Sequence, residues 1–218
     1  MIERLDKTSL FYGIIKEVTR MQYVIMSDGK GTRWNNYMNI TKQEIVIDGE
    51  NLLERIARQI KSFDKDAKII VSSNNPNHKV DGFILYASET ENVYNRMYLY
   101  EKINEPTIFL YCDTYYEDNV IETIVNTSIE KVMFYGNENA IIAVKVNDCD
   151  LFKQKLNIYN GTKTLLHEFE EYDINKLFVN VGYDFKNINT SDDYQSLVKT
   201  KKIIKNKRRL NENYWKNL

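Results

Sequence analysis

The chain has 218 residues, 43% of them apolar, which is enough for the core of one α/β domain and too many for intrinsic disorder. Thirty Lys and Arg against 31 Asp and Glu leave a net charge of −1, without the electrostatic footprint of a dedicated nucleic-acid binder. No stretch approaches the roughly 20 apolar residues of a membrane span. Two cysteines and two histidines exclude a disulfide framework, a four-cysteine zinc site and a histidine-rich metal centre.

Residues 1–20 read as a helical extension with Leu10, Ile14, Ile15 and Val18 on one side, packing on the domain or on a second subunit, so a homodimer stays open. Charges run through its apolar positions and no small-residue cleavage site follows, so the expectation is no signal peptide and a cytoplasmic, reduced protein. Gln22–Met26 is a buried-strand run that ends in the loop Ser27-Asp28-Gly29-Lys30-Gly31-Thr32-Arg33. Residues 51–63 carry Leu52, Leu53, Ile56, Ile60 and Phe63 near helical spacing, with Asn51 as N-cap and Glu54 three residues on. Residues 68–71 form the next strand, followed by a polar loop through Ser72, Ser73 and Asn74. Residues 107–111 form another strand, ending at Cys112-Asp113. Residues 131–134 and 140–146 read as a hairpin around a turn at 136–139. A helix over 163–172, a strand over 176–181 and a helix over 191–204 capped by Ser191 or Asp192 complete the series. Strands alternating with helical patterns predict a Rossmann-like, three-layer α/β/α domain with a mixed, mostly parallel sheet over 21–198. Residues 199–218 form a basic terminal helix or tail with eight Lys and Arg, either a patch for an acidic partner or a solvated helix face.

The loop after the first strand carries the chemistry. Two glycines let backbone N–H groups of Gly29, Lys30, Gly31 and Thr32 approach phosphate oxygens, and Arg33 supplies a planar guanidinium. The spacing is not that of a Walker A loop, and Trp34 stands where the dinucleotide fingerprint needs a third glycine. Ser27, Asp28 and Ser73 flank this loop as candidate nucleotide contacts. Ser72, Ser73 and Asn74 lie at a strand's carboxyl end and either touch a base or form a polar turn ending at Pro76. His78 and His167 read as hydrogen-bonded structural histidines. Cys112 reads as a buried filler, and Trp34 as a lid or a packing residue.

Gly-x-Gly-x-Arg at 29–33, Lys42, and the Gly49-Glu50-Asn51-Leu52-Leu53 helix start, taken in order, resemble the GT-A-like nucleotidyltransferase superfamily. That superfamily includes sugar-phosphate and phospho-alcohol cytidylyltransferases and the MobA-like group. The segment Phe109–Tyr116 is similar to the family's strand ending in a metal-binding Asp, here Asp113. Ile188–Tyr194 is similar to the segment that opens its last helix, which puts Asn189 at the second metal-ligand position with Asp184 in reserve. Thr41 stands where the family commonly has proline, and Cys112 where it has glycine.

The resemblance implies a Mg²⁺-dependent transfer of a nucleotidyl group from an NTP, CTP being favoured, to a sugar phosphate or phospho-alcohol for surface-glycan precursors, with Arg33 and Lys42 catalytic. Two rivals remain. A GT-A glycosyltransferase would need Asp-x-Asp, and Tyr115 fills its third position. A non-catalytic nucleotide-binding protein of the same fold is the other.

Overall fold

The computed structural model describes residues 21–29, 31–35 and 37–216, and side chains among them except those of 174 and 206–216. The expected N-terminal helix and Lys30 lie outside the described residues.

The apolar runs pair as strands. β1 (Gln22–Met26) lies between β4 (Lys68–Ser72) and β6 (Thr107–Tyr111), parallel to both and in unbroken register. β5 (Ile84–Tyr86) extends the sheet beyond β4. On the other side β9 (Ala140–Val146) runs antiparallel between β6 and β8 (Val132–Asn137), and β10 (Phe178–Asn180) closes the edge parallel to β8. The order is β10-β8-β9-β6-β1-β4-β5, a mixed, mostly parallel seven-stranded sheet.

A strand covered on both faces must be apolar on both, and alternate residues of β1 serve the two sides. Tyr23 and Ile25 pack with Ile56 and Ile60 of α1 (Leu52–Phe63) and with Ile121 and Ile124 of α3 (Asp118–Asn126). Val24 and Met26 face the opposite cluster, with Phe152 and Leu156 of α4 (Cys149–Ile158). α1 begins as its capping pattern predicts: Asn51 Oδ1 accepts the Glu54 N–H at 2.8 Å, a cap typically worth about 1 kcal/mol. A third cluster joins Trp34, Ile45, Ile47, Leu52, Tyr115, Ile188 and Leu197, tying the first loop to the final helix, α5 (Ser191–Lys216). Trp34 packs there and donates its indole N–H to Ile40 O at 2.9 Å.

Several boundaries differ from expectation. α5 is capped by Thr190, whose Oγ1 accepts the Asp193 N–H while Asp193 Oδ2 accepts the Thr190 N–H. Ser191 and Asp192 are its first helical residues, and the helix runs unbroken through 199 to Lys216. The helix expected over 163–172 is only a 3₁₀ segment, Leu165–Phe169, which still buries Leu165 and Phe169. Its N-terminal part belongs to a loop around Gly161, whose φ of +75° is outside the helical region. The hairpin turn is shorter than expected, with only Glu138-Asn139 outside the strands. Asn137 Oδ1 accepts both the Asn139 and Ala140 N–H groups. Gly136 sits at a bulge where a Cβ would lie 2.0 Å from Ala140 O. The strand expected at 176–181 contracts to β10, since Lys176 closes a 3₁₀ turn.

On β9, Lys145 is buried and donates Nζ–H bonds to the carbonyls of Ile124, Val125 and Thr127 at 3.1, 2.8 and 2.7 Å. These are orphan carbonyls at the end of α3, so the ammonium acts as that helix's C-terminal cap. Burial depresses its pKa to about 8.

Candidate active site

The loops after β1, β4 and β6 all leave the sheet at the carboxyl ends of parallel strands, the edge where open α/β sheets bind ligands. Past β1, Gly31 adopts φ +58°, a left-handed conformation that glycine enters without cost, and a 3₁₀ turn at Thr32–Trp34 follows. A second 3₁₀ turn, Lys42–Glu44, is closed by a capping box between Thr41 and Glu44. This box braces the turn that carries Lys42.

Past β6 the chain turns at Cys112-Asp113 into β7 (Thr114–Tyr116), which pairs antiparallel with β11 (Phe185–Asn187). Asp113 O accepts the Ile188 N–H at 2.7 Å, and Thr114 Oγ1 donates to Asn187 Oδ1 at 2.7 Å. These bonds hold the last motif against the Asp113 turn. Cys112 is buried in the core, and burial pushes its thiol pKa up to about 12. Its side chain lines neither cavity described below and so does not crowd them.

Two pairs bring distant residues together. Lys42 Nζ donates to Asp113 Oδ2 at 2.5 Å, with the lysine side chain 9% exposed and the aspartate 27%. Arg33 donates to Asn189 Oδ1 at 2.8 Å. Asn189 is anchored in turn, because Asp193 Oδ2 accepts its backbone N–H at 3.1 Å. Burial would raise the Asp193 carboxyl pKa, but the hydrogen bonds from Thr190 and these two N–H groups outweigh it and hold it below the usual range.

Two cavities adjoin at this point. The smaller, of about 330 Å³, is lined by Asp28, Gly29, Lys42, Gln43 and Arg96. The larger, of about 540 Å³, is lined by Arg33, Asn187, Asn189, Tyr98, Tyr159 and Thr162 among others. Tyr111 and Asp113 line both. Arg33, Lys42, Asp113, Asn189, Asp28 and Gly29 therefore converge. Thr32 is exposed and lines neither cavity.

Ser27 and Ser73 also belong elsewhere. They are 1% and 3% exposed, and their hydroxyls bond His78 Nδ1 at 2.9 and 2.7 Å. Asp184 is bonded by Asn119 and lines neither cavity, whereas Asp113 and Asn189 both line the larger one. His167 is exposed and bonded within its own turn to Thr164. Tyr115 is buried, with Arg55 and Lys201 over its ring at 4.3 and 4.5 Å, so the third position of an Asp-x-Asp motif is structural here.

Sequence reasoning missed three contributors. Tyr111, which bonds Tyr98 hydroxyl to hydroxyl at 2.8 Å, was visible as the residue before Cys112-Asp113. Burial raises its pKa to about 12, so it stays a neutral hydrogen-bonding group. Gln43 adjoins Lys42 in its turn. Arg96, on α2 (Val93–Met97), carries no local signal, yet its Nε lies 3.1 Å from Asp28 Oδ2 and Asn74 Nδ2 donates to both Asp28 oxygens at 3.2 Å. The Arg96 guanidinium offsets the charge of the Asp28 carboxylate in this loop.

Among the described residues no group of three or more His, Cys, Asp and Glu could hold a metal. Asp113 and Asn189 both line the larger cavity and offer it one carboxylate and one amide oxygen. This hard-oxygen pair fits Mg²⁺, which keeps several waters and takes few protein ligands, better than it fits a softer ion.

No family model and no curated protein sequence matches the chain. Solved structures do match, and they show the fold: the chain has a Rossmann-like fold that it shares with solved nucleotidyltransferases. The CTP:phosphocholine cytidylyltransferase LicC of Streptococcus pneumoniae superposes with a TM-score of 0.60 at 15% identity, over 83% of this chain and 99% of that one. A glucose-1-phosphate thymidylyltransferase from Bacillus anthracis gives 0.61 at 11% identity, over 83% and 94%. The 4-diphosphocytidyl-2C-methyl-D-erythritol synthase of Anaerococcus prevotii gives 0.60 at 14% identity, over 84% and 96%. Among the described residues no helix is long and apolar enough to cross a membrane.

Proposed function

We propose that this chain is a Mg²⁺-dependent nucleotidyltransferase that joins an NTP to a small phosphorylated acceptor and releases pyrophosphate. The observation that carries the reading is the pair of cavities meeting at Asp113, with Lys42 on one and Arg33 on the other. One cavity suits a nucleotide over the first loop, and the other suits the acceptor.

The acceptor's phosphate oxygen attacks the α-phosphorus as the bond from that phosphorus to the β-phosphate's bridging oxygen breaks. Pyrophosphate leaves with the electron pair. The nucleophile is already anionic, so the protein need not remove a proton. Its work is positioning and charge stabilisation. The first loop's backbone, from Gly29 on, binds the β- and γ-phosphates, while Lys42 and Arg33 face the charge that spreads from the α-phosphate. Asp113 and Asn189 would hold Mg²⁺, which supplies further neutralisation of phosphate charge.

CTP is the favoured donor. Its support is the similarity of Leu110–Tyr116 to the matching segment of phosphocholine-type cytidylyltransferases, together with the cytidylyl chemistry named for two of the three solved structures above. The acceptor is a sugar phosphate or phospho-alcohol, and the product serves surface-glycan precursor synthesis in the cytoplasm.

Pyrophosphate release with ATP, CTP, GTP and UTP against a panel of sugar phosphates and phospho-alcohols, with and without Mg²⁺, tests the proposal. One nucleotide–acceptor pair turning over only with Mg²⁺ is the expected result. Saturable nucleotide binding without pyrophosphate release from any pair would instead make the chain a non-catalytic nucleotide-binding protein.

A further inference from the structure

His78 is 4% exposed and lies at the centre of segments that the chain keeps far apart. Its Nδ1 meets Ser27 Oγ at 2.9 Å, directly before the first loop, and Ser73 Oγ at 2.7 Å, past β4. Its Nε2 meets Thr41 Oγ1 at 3.0 Å, directly before Lys42. Asn75 Nδ2 lies 3.2 Å from the same nitrogen.

Thr41 gives its hydroxyl proton to Glu44 Oε2 at 2.7 Å; its oxygen and the Asn75 amide meet the ring at Nε2, and the two serine hydroxyls share Nδ1. Burial lowers the imidazole pKa against the opposing pull of Glu44, the Ser27 backbone and Asp28.

We infer that His78 is a positioning residue of the candidate site, its two ring nitrogens separately fixing the phosphate-binding loop through Ser27 and Ser73 and the Lys42 turn through Thr41. Its kinetic consequence rests on the nucleotidyl-transfer reading; the mechanical link does not. Among the described residues neither loop has regular structure of its own beyond 3₁₀ turns. Their relative placement therefore depends on cross-links such as this one. The Lys42 amine must stay in register with phosphates held by the other loop, and misplacement of a catalytic group by about 1 Å can cost on the order of 100-fold in rate.

Two amide substitutions separate the functions of the nitrogens. In H78N the amide Oδ1 sits where Nδ1 was, keeps the serine bonds and loses Thr41. In H78Q the amide Nε2 reaches the position of the imidazole Nε2, keeps Thr41 and loses the serines. H78L loses both.

Expected for H78N is a kcat about tenfold down with KM for the nucleotide near wild type. Expected for H78Q is a nucleotide KM about tenfold up with kcat largely kept. Hydrogen exchange on the unliganded proteins should show faster exchange in H78L at 27–35 and 40–45, with the β1 and β6 amides unchanged. Identical kinetics in H78N and H78Q, or unchanged loop exchange in H78L, would overturn the inference. Exchange is read without substrate. A wild-type chain inactive with every nucleotide would therefore count against the transfer reading alone, and faster loop exchange in H78L would still support the link.

Discussion

Removing the charge of Asp113 separates stability from catalysis. In D113N the Lys42 ammonium, 9% exposed, loses its 2.5 Å partner and stays buried. Breaking a fully buried pair from one side costs about 3–5 kcal/mol. Asp113 is 27% exposed and partly screened, so about 2 kcal/mol is the reasonable loss. For a chain of 218 residues that is a fall in Tm of roughly 4–8 °C. K42M removes the more deeply buried charge and leaves the more exposed carboxylate behind, so it should cost less, about 1 kcal/mol.

The double variant K42M/D113N removes both charges and should recover to within about 1 kcal/mol of wild type, a favourable coupling of roughly 2–3 kcal/mol. Activity should not recover with it. Each single variant and the double should lose at least about 100-fold in kcat/KM, or 2.7 kcal/mol of transition-state stabilisation. Thermal unfolding and pyrophosphate release on the four proteins complete the cycle. Strictly additive stabilities would show that the pair does not form. A single variant turning over within tenfold of wild type would refute the catalytic roles.

Other consequences follow from particular contacts. R96Q exposes the Asp28 carboxylate to the nucleotide's phosphates and should raise its KM about tenfold, with D28N in the same background restoring it; no recovery in D28N/R96Q would show that charge is not the reason. G136A drives a Cβ to 2.0 Å from Ala140 O and should lower stability by about 1–3 kcal/mol in urea unfolding, a loss under 0.5 kcal/mol being incompatible with that approach. Lys145 has a folded pKa of about 8, below the unfolded value of 10.5, so the unfolded chain binds more protons between them and this group's contribution rises with pH across that window. The stability difference between wild type and K145M should therefore grow in wild type's favour from pH 8 to 10.5, and a flat difference would mean that the lysine is not depressed.

The strands and the best helix were legible from local pattern. Buried runs at 22–26, 68–72 and 107–111 and the Asn51-capped helix need only period and composition to be read, because both are set within a few residues. Most of the elements that went unread are short. β7 and β11 span three residues each, too few for any periodicity, and exist because they pair with each other across the chain, while β2 (Val46–Ile47) and β3 (Glu50–Asn51) form a two-residue hairpin around Asp48-Gly49. α3 and α4 carry apolar stripes but were hidden between stronger strand signals.

For the site, chain order and residue type were enough to nominate Arg33, Lys42, Asp113 and Asn189. They could not pair Lys42 with Asp113 across 71 residues or Arg33 with Asn189 across 156. Nor could they turn Ser27 and Ser73 toward His78, or bring Arg96 to Asp28. Local sequence sets backbone preference and which face is apolar. Which side chains meet depends on strand order, on β9 running antiparallel between β6 and β8, and on where each loop leaves the sheet. Those are decided by burying all the apolar faces at once, a condition on the whole chain that no short segment contains.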